Sequence, residues 1–195
     1  MSDRPLASLL REIRACRVCT AHLPLGPRPV LRAKASARLL IIGQAPGTKV
    51  HESGVPWDDR SGDRLREWLG FDRDVFYDES RVAIVPMGFC YPGVDKNGGD
   101  LPPRRECAPL WHVRVMQRLP NIELTLLVGS HAQAYYLGDR CGATMTESVR
   151  AWRRHAPRFV PLPHPSWRNT AWLKRNPWFE KELLPELRES VRMFL

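Results

Sequence analysis

The chain has 195 residues, a length that fits one domain with a single hydrophobic core. Its hydrophobic content of 43% is ordinary for a globular protein, and no apolar run approaches the ~20 residues that cross a bilayer, so no transmembrane segment is expected. The 30 Lys and Arg against 21 Asp and Glu give a net charge of +9, which indicates a polyanionic partner such as nucleic acid; the alternative is a globular protein with a basic surface.

The start of the chain lacks the uninterrupted apolar core of a signal peptide, so we expect a cytoplasmic protein that does not associate with membranes. In that reducing compartment, five cysteines are not expected to form a disulfide framework. No internal repeat or composition boundary divides the sequence, and we predict a single domain over residues 1–195.

Hydrophobic periodicity predicts strands that alternate with helices. The predicted strands are the short apolar runs 37–43, 81–89, 123–130 and 158–166. The predicted helices are 5–16, 61–71, 104–120, 131–138, 144–157 and 176–195. In the second helix, Ser61 is the expected N-cap and Gly70 the expected end. This alternation predicts the α/β class, as a three-layer α/β/α sandwich with a central four-stranded, mainly parallel sheet.

Three predicted loops leave the carboxyl ends of strands, where open α/β sheets bind ligands. They are residues 43–57, 90–100 and 164–169. The first begins with GQAPG, residues 43–47, which is neither G-x-G-x-x-G nor a Walker loop, since no G-K-[ST] follows. A nucleotide cofactor is therefore not supported.

The segment LLIIGQAPG, residues 39–47, is followed six residues later by GVPWDDRSG, residues 54–62. This arrangement resembles the first motif of the uracil-DNA glycosylase superfamily. It is closest to the iron–sulphur, family 4-like branch, whose pattern is G-E-A-P-G, six residues, G-x-P-F-x-G-x-x-G. PLPHPSWRN resembles the second motif, and LTLLVGSHAQAYYLG resembles the strand and helix that precede it. The resemblance covers roughly residues 13 to 194.

The resemblance implies a monofunctional DNA glycosylase of base-excision repair, which flips uracil or another deaminated base out of single- or double-stranded DNA and hydrolyses its N-glycosidic bond. His164 would stabilise the charge on the departing base, and Trp57, at the position of the family's Phe, would stack on that base. The substrate-binding residues that we predict are Gly43, Ala45, Pro46, Gly47, Trp57 and Asn97.

Two positions depart from the branch pattern. Gln44 stands where the branch has a glutamate, so the residue that usually orients the attacking water is absent. Gln44, His51, Glu52 and Asp58 are the candidates for this role. One of the two carboxylates is favoured because an anion also stabilises the sugar cation; each carboxylate is alternatively a solvated loop charge. Pro86 replaces an asparagine that reads the pyrimidine edge, which leaves base recognition to the backbone of residues 86–89 or to Asn97. The missing carboxylate also motivates the alternative of a uracil-DNA or abasic-site binding protein without turnover.

DNA contacts are predicted from the segment that follows His164, where Trp167 or Arg168 would fill the gap left by the flipped base and basic residues would hold phosphates. The predicted DNA-binding residues are Ser166, Trp167, Arg168, Asn169, Lys174 and Arg175. Nothing in the sequence indicates oligomerisation, and a monomer is expected.

Four of the five cysteines form C-x2-C, at Cys16 and Cys19, and C-x16-C, at Cys90 and Cys107. Four thiolates suit a [4Fe–4S] cluster or a structural zinc ion, and the alternative is scattered buried or free cysteines. The layout is similar to the four cluster ligands of the iron–sulphur branch, and this resemblance favours a structural [4Fe–4S] cluster over zinc.

Overall fold

The computed structural model describes residues 4–194 of the chain. Four strands form one sheet in the order β2-β1-β3-β4, and every neighbouring pair runs parallel. The strands are β1 Leu39–Ile42, β2 Val82–Ile84, β3 Leu124–Val128 and β4 Phe159–Leu162. Apart from the half-buried Phe159, their residues are buried, as expected of parallel strands that are covered on both faces. The predicted four-stranded, mainly parallel sheet is confirmed.

Helices cover both faces of this sheet. Within residues 4–194 they are α1 Arg4–Arg14, α2 Thr48–Ser53, α3 Arg60–Leu69, α4 Arg73–Tyr77, α5 Cys107–Met116, α6 Ser130–Leu137, α7 Met145–Arg150, α8 Thr170–Arg175 and α9 Leu184–Arg192. Successive residues of β1 point to opposite sides. Leu39 and Ile41 pack in one hydrophobic cluster with residues of α3, α4, α7 and α9, and Leu40 and Ile42 pack in a second cluster with residues of α1, α5 and α6. These two cores make the predicted α/β/α sandwich.

The start of α3 differs from the prediction. Its N-cap is Asp59 rather than Ser61, because the Asp59 carboxylate accepts a hydrogen bond of 2.8 Å from the backbone N–H of Gly62, a donor that the helix itself leaves free. The helix ends as expected at Gly70, whose φ of 74° is the left-handed conformation that glycine adopts without strain.

Three predicted elements are too long. The strand predicted over 81–89 ends at Ile84, shortly before Pro86, which has no N–H for a ladder. The helix predicted over 104–120 is α5, with Pro109 in the first turn, where its missing N–H is not needed. The helix predicted over 144–157 ends at Arg150 and gives way to a tighter 3-10 turn over Trp152–Arg154.

Short helices were missed, and the closing helix is irregular. The helices α2, α4 and α8 have five or six residues each, less than two turns, and such lengths carry no readable hydrophobic period. The helix predicted over 176–195 contains a wide π-type turn, Phe179–Leu183, ahead of α9. Pro185 lacks the N–H that would donate to the preceding turn, which accounts for the irregularity there. In the described part of the chain, no helix is long and apolar enough to span a bilayer.

Candidate active site

A cleft opens at the carboxyl ends of β1, β2 and β4, where the sheet topology predicts ligand binding. Its empty volume, which includes space open to solvent, is about 750 Å³. The residues that line it are Val30, Gly43, Gln44, Ala45, Pro46, Gly47, Val50, Pro56, Trp57, Asp59, Ser61, Ile84, Pro86, Asp100, His164, Ser166, Trp167 and Arg168. We call this the central cleft.

Trp57 is held in an uncommon backbone conformation beside the central cleft. Its φ of 58° is the single positive value found for a non-glycine residue in the described part of the chain. Two glycines make room for it: a Cβ on Gly43 would lie 2.6 Å from the indole Cζ2, and a Cβ on Gly62 would lie 1.8 Å from the Trp57 carbonyl oxygen. The Arg66 guanidinium donates to that same carbonyl at 3.4 Å. The spacing of glycines around Trp57 therefore has a steric reason, and the fold over-determines the strained residue.

His164 is a neutral hydrogen-bond donor in this setting. Desolvation lowers the pKa of its imidazole to about 4, although the nearby Asp59 acts in the opposite direction. The backbone N–H of Ser166 donates to Nδ1 at 3.2 Å, so Nδ1 is unprotonated and the proton of the neutral ring lies on Nε2. The uncharged ring can therefore donate a hydrogen bond from Nε2–H to an acceptor in the central cleft.

Several contacts fix the position of His164. Gly129, which follows β3, lies next to His164: a Cβ at Gly129 would be in ordinary van der Waals contact with the His164 Cβ, at 3.7 Å. Gln133 on α6 donates to the carbonyl oxygen of Leu162 at 2.8 Å and so holds the end of β4. The Asn169 side-chain amide donates to the His164 carbonyl at 2.7 Å. Asn169, predicted to bind DNA, thus also holds the backbone of His164 in place.

The two predicted key side chains meet in one place. The rings of Trp57 and His164 have centroids 5.5 Å apart, and their planes are inclined by 35°. The Trp57 indole is half-buried, which leaves part of its surface free for a ligand. A flat ring that stacks on the indole would bring its edge within reach of the imidazole.

The backbone of the loop after β2 is already occupied. The N–H groups of Met87 and Gly88 donate to the carbonyls of Gly43 and Gln44, each at 2.9 Å. The Pro86 carbonyl is within 3.0 Å of the Nε2 of His112, which is buried on α5. These two N–H groups bind the first motif and are therefore not free to donate to a base, while recognition by other backbone groups of residues 86–89 stays a prediction.

Of the residues suggested for orienting a water, only Gln44 lines the central cleft. Its amide donates to the Leu101 carbonyl at 3.3 Å. Glu52 is exposed on α2 and lies outside the residues that line the cleft. Asp58 also lies outside them and forms a salt bridge of 2.7 Å with Arg73, which holds the pKa of the Asp58 carboxyl below its usual range. The structure therefore does not bring these three side chains together.

Sequence reasoning missed two carboxylates in the central cleft, Asp59 and Asp100. Asp59 was missed because the sequence analysis predicted that the helix α3 begins at Ser61, two residues later. Asp100 comes from the loop 91–103, in which the sequence analysis singled out Asn97 but not Asp100. Partial desolvation raises the pKa of Asp100, and Asp59 raises it further, while Arg168 lowers it. The available signal was the position of both residues in loops that follow the carboxyl ends of strands.

The predicted DNA-binding residues divide into two groups. Ser166, Trp167 and Arg168 line the central cleft, and Trp167 is 74% exposed at its rim. Arg168 donates to the Gly98 carbonyl at 2.9 Å, so it connects the second motif to the loop 91–103. Lys174 and Arg175 are exposed at the end of α8, and Asn97 is exposed near the tip of the loop 91–103. These three lie outside the residues that line the cleft.

Four cysteines line a second pocket, which we call the cysteine cavity; its empty volume of about 440 Å³ includes space open to solvent. They are Cys16, Cys19, Cys90 and Cys107. The backbone N–H of Phe89 donates to the Cys107 sulphur at 3.3 Å. Burial raises the pKa of Cys90 to about 11 and that of Cys107 to about 12, so without a metal these thiols stay protonated at neutral pH.

The cysteine cavity has apolar neighbours such as Leu23, Phe89 and Trp111. Between residues 4 and 194, no group of three or more His, Cys, Asp or Glu side chains is arranged to hold a metal ion. The fifth cysteine, Cys141, lies elsewhere, with its sulphur 3.3 Å from the Ser148 hydroxyl.

One comparison with known proteins bears on this geometry. The family model described as the uracil DNA glycosylase superfamily matches residues 32–188, a span that includes both strand-end motifs and the whole sheet. A match over so much of the chain, on a sheet that brings Trp57 and His164 to one cleft, establishes the relationship. The protein belongs to the uracil DNA glycosylase superfamily.

Proposed function

We propose that the protein is a monofunctional uracil-DNA glycosylase, a hydrolase that acts in base-excision repair. The observation that carries this proposal is that Trp57 and a neutral His164 lie side by side in the central cleft, with their ring centroids 5.5 Å apart. An aromatic surface and a neutral N–H donor are what a flipped pyrimidine needs: one binds its face and the other its oxygen. The superfamily match supports a glycosylase in general.

Breaking the N-glycosidic bond leaves positive charge on the deoxyribose and negative charge on the departing base. Donors aimed at the oxygen where negative charge grows lower the barrier without having to reorient. His164 supplies such a donor through Nε2–H, and its low pKa keeps the ring neutral in the ground state. The first-motif residues Gly43, Ala45, Pro46 and Gly47 line the same cleft and would bind the base from the other side.

We also propose that the chain belongs to the iron–sulphur branch. The four cysteines that match the branch's ligands line one cavity, and a backbone N–H already donates to one of their sulphurs, as is common around clusters. Among residues 4–194, no three potential ligands already surround one metal ion, so the sulphurs of Cys16, Cys19, Cys90 and Cys107 would have to move together to hold a [4Fe–4S] cluster, or the alternative zinc ion. The cluster would be structural, because it would join the end of α1 to the loop after β2 and the start of α5.

DNA is the proposed partner, bound by a monomeric, cytoplasmic, single-domain protein. The net charge of +9 favours a polyanion, and Trp167 at the rim of the central cleft has the exposure of a wedge that replaces a flipped base. Arg168, Lys174 and Arg175 would hold phosphates, so binding would weaken steeply with salt.

A uracil-DNA or abasic-site binding protein without turnover is the second candidate. The observation that favours it is the state of Gln44, which replaces a carboxylate and whose amide is engaged with the Leu101 carbonyl. Such a protein would retain uracil-containing DNA and leave its bases attached.

A base-release assay separates the two functions. Oligonucleotides that carry uracil, hypoxanthine or xanthine, single- and double-stranded, are incubated with the protein and then cleaved at abasic sites with alkali. Release of uracil supports the glycosylase, and release of the purines as well would indicate relaxed base preference. Intact oligonucleotides that nevertheless bind tightly would favour the binding protein, and intact oligonucleotides without preferential binding would refute both.

A further inference from the structure

Hydrolysis requires a group that positions and deprotonates a water, and the usual carboxylate at position 44 is absent. Among residues 4–194, the side-chain carboxylates that line the central cleft are Asp59 and Asp100. Asp59 uses one oxygen to cap α3, at 2.8 Å from the Gly62 N–H. Asp100 has no side-chain hydrogen bond or salt bridge to any described residue, so both of its oxygens are available.

The position of Asp100 next to the first motif is fixed through its backbone. Asp100 pairs with Val94 in an antiparallel bridge, and the N–H of Leu101 donates to the Gly93 carbonyl at 2.9 Å. Gln44 donates to the carbonyl of the adjacent Leu101. The side chain that replaces the usual carboxylate thus holds the peptide beside Asp100.

The Asp100 carboxylate faces the first motif. Its Oδ2 lies 3.9 Å from the position that a Cβ on Gly47 would occupy, so this oxygen is next to the backbone of the first motif. Arg168 donates to the Gly98 carbonyl and acts electrostatically on Asp100, which joins the second motif to the same loop. Asp100 therefore lies between the two motifs that build the cleft.

We propose that Asp100 is the catalytic carboxylate that orients and deprotonates the attacking water, in place of the missing acid at position 44. This inference rests on the proposed glycosylase function. Water oxygen forms a bond to C1′ as the C1′–N bond breaks, and the bonding electron pair leaves with the base. One water proton passes to the Asp100 carboxylate and from there to solvent, and the departing anion, stabilised by His164 Nε2–H, takes a proton from solvent.

Its surroundings suit this role. Asp100 is exposed in the cleft, so water reaches it, and its negative charge would stabilise the oxocarbenium-like sugar. Desolvation and Asp59 raise its pKa and Arg168 lowers it, so as a base it is somewhat stronger than an ordinary aspartate. His164, across the cleft, stays neutral and does not compete for the proton.

The test compares Asp100→Asn with Asp100→Glu and with Asp139→Asn, a matched loss of one negative charge on the turn after α6. Single-turnover release of uracil is measured against pH, and binding to uracil-containing DNA is measured in parallel. We expect Asp100→Asn to slow release by ~10²-fold or more and to abolish the acid limb of the rate profile. Binding should stay as tight as for Asp139→Asn. Asp100→Glu should keep the acid limb, because it keeps a carboxylate.

The outcomes separate this inference from the proposed function. If the unmodified protein releases no base, the glycosylase proposal fails. If it releases uracil and Asp100→Asn does so within about threefold of the same rate, the glycosylase stands and Asp100 is not its base. If Asp100→Asn weakens binding to uracil-containing DNA by the same factor as it slows uracil release, Asp100 binds the base and is not the catalytic carboxylate. That result would also overturn the inference.

Discussion

The ring centroids of Trp57 and His164 lie 5.5 Å apart, although the two residues are 107 positions apart in the chain. They meet because β1 and β4 flank β3 and run in the same direction, so the loops that follow β1 and β4 emerge at one edge of the sheet. The strained φ of Trp57 and the hydrogen bonds around His164 keep both rings in place before any ligand arrives. The cleft is thus built in advance on rigid strand ends.

Loss of the imidazole donor should affect chemistry more than binding. We expect His164→Ala to slow single-turnover uracil release by ~10²- to 10³-fold, the usual effect of removing one donor to a developing anion. Because the pKa of His164 is about 4, the loss should be constant between about pH 6 and 8, where an ordinary histidine titrates. His22→Ala, on an exposed residue away from the central cleft, is the control. A loss that appears only at the lower pH would contradict a neutral donor.

The contact between Gly43 and Trp57 predicts a rescue. In Gly43→Ala the new Cβ would approach the indole Cζ2 to 2.6 Å and push the ring out of place, so base release should fall about tenfold or more. Trp57→Phe removes that part of the indole. The double variant should therefore release uracil faster than Gly43→Ala alone, as measured by the same single-turnover assay. Equal rates for the single and double variants would mean that the indole is not what the alanine displaces.

Asn169 and Lys174 should respond differently to substitution, although both were predicted to bind DNA. Asn169 donates to the His164 carbonyl, so Asn169→Ala should lower the base-release rate about tenfold while the salt dependence of DNA binding stays the same. Lys174 is exposed on α8, and Lys174→Ala should reduce the slope of log affinity against log salt by ~1 with little effect on the rate. DNA-binding titrations at several salt concentrations, together with the single-turnover assay, distinguish the two roles. If Asn169→Ala changes the slope of log affinity against log salt, Asn169 binds a DNA phosphate as originally predicted.

The cysteine cavity predicts a bound iron–sulphur group. Protein purified without oxygen should be brown and contain about four irons per chain, as expected for one [4Fe–4S] cluster. Cys107→Ser should lose the colour and the iron and lower the unfolding temperature. Cys141→Ser, whose sulphur contacts Ser148 instead, should keep all three properties. A colourless protein that contains zinc would replace the cluster by the alternative ion, and a metal-free protein would contradict both.

The sequence predicted the parts of this molecule that local patterns encode. The buried strands Leu39–Ile42 and Leu124–Val128 are readable because parallel strands that are covered on both faces are mostly apolar. The two motifs placed Trp57 and His164 in segments that follow β1 and β4, and the sheet order brought these segments together. The superfamily is established by the match over residues 32–188, whereas the roles of individual site residues remain proposals.

What the sequence could not predict depends on contacts between distant segments. Asp100 acquires its place from a backbone bridge within its loop and from Gln44, neither of which has a local signature. Asp58 was predicted to orient the attacking water, but in the folded protein it forms a salt bridge with Arg73. The short helices α2, α4 and α8 are stabilised by tertiary packing rather than by a pattern of their own. The positions of these side chains and short helices depend on the assembled sheet, so local sequence patterns do not predict them.

The buried His112 should make the folded state sensitive to acid. In the unfolded chain its pKa is near 6.5, whereas burial lowers it to about 4 in the folded protein. The folded state therefore binds fewer protons between these values, and the free energy of unfolding should fall as pH decreases from 6.5 towards 4, by up to about 3 kcal/mol in total from this residue. Because Nε2 lies 3.0 Å from the Pro86 carbonyl and Nδ1 lies 2.7 Å from the Tyr136 hydroxyl, His112→Gln keeps a polar side chain without the titration. Denaturant unfolding at several pH values should show a smaller loss of stability in acid for this variant than for the unmodified protein. Parallel pH dependences of the two proteins would show that His112 is not protonated in this range on unfolding.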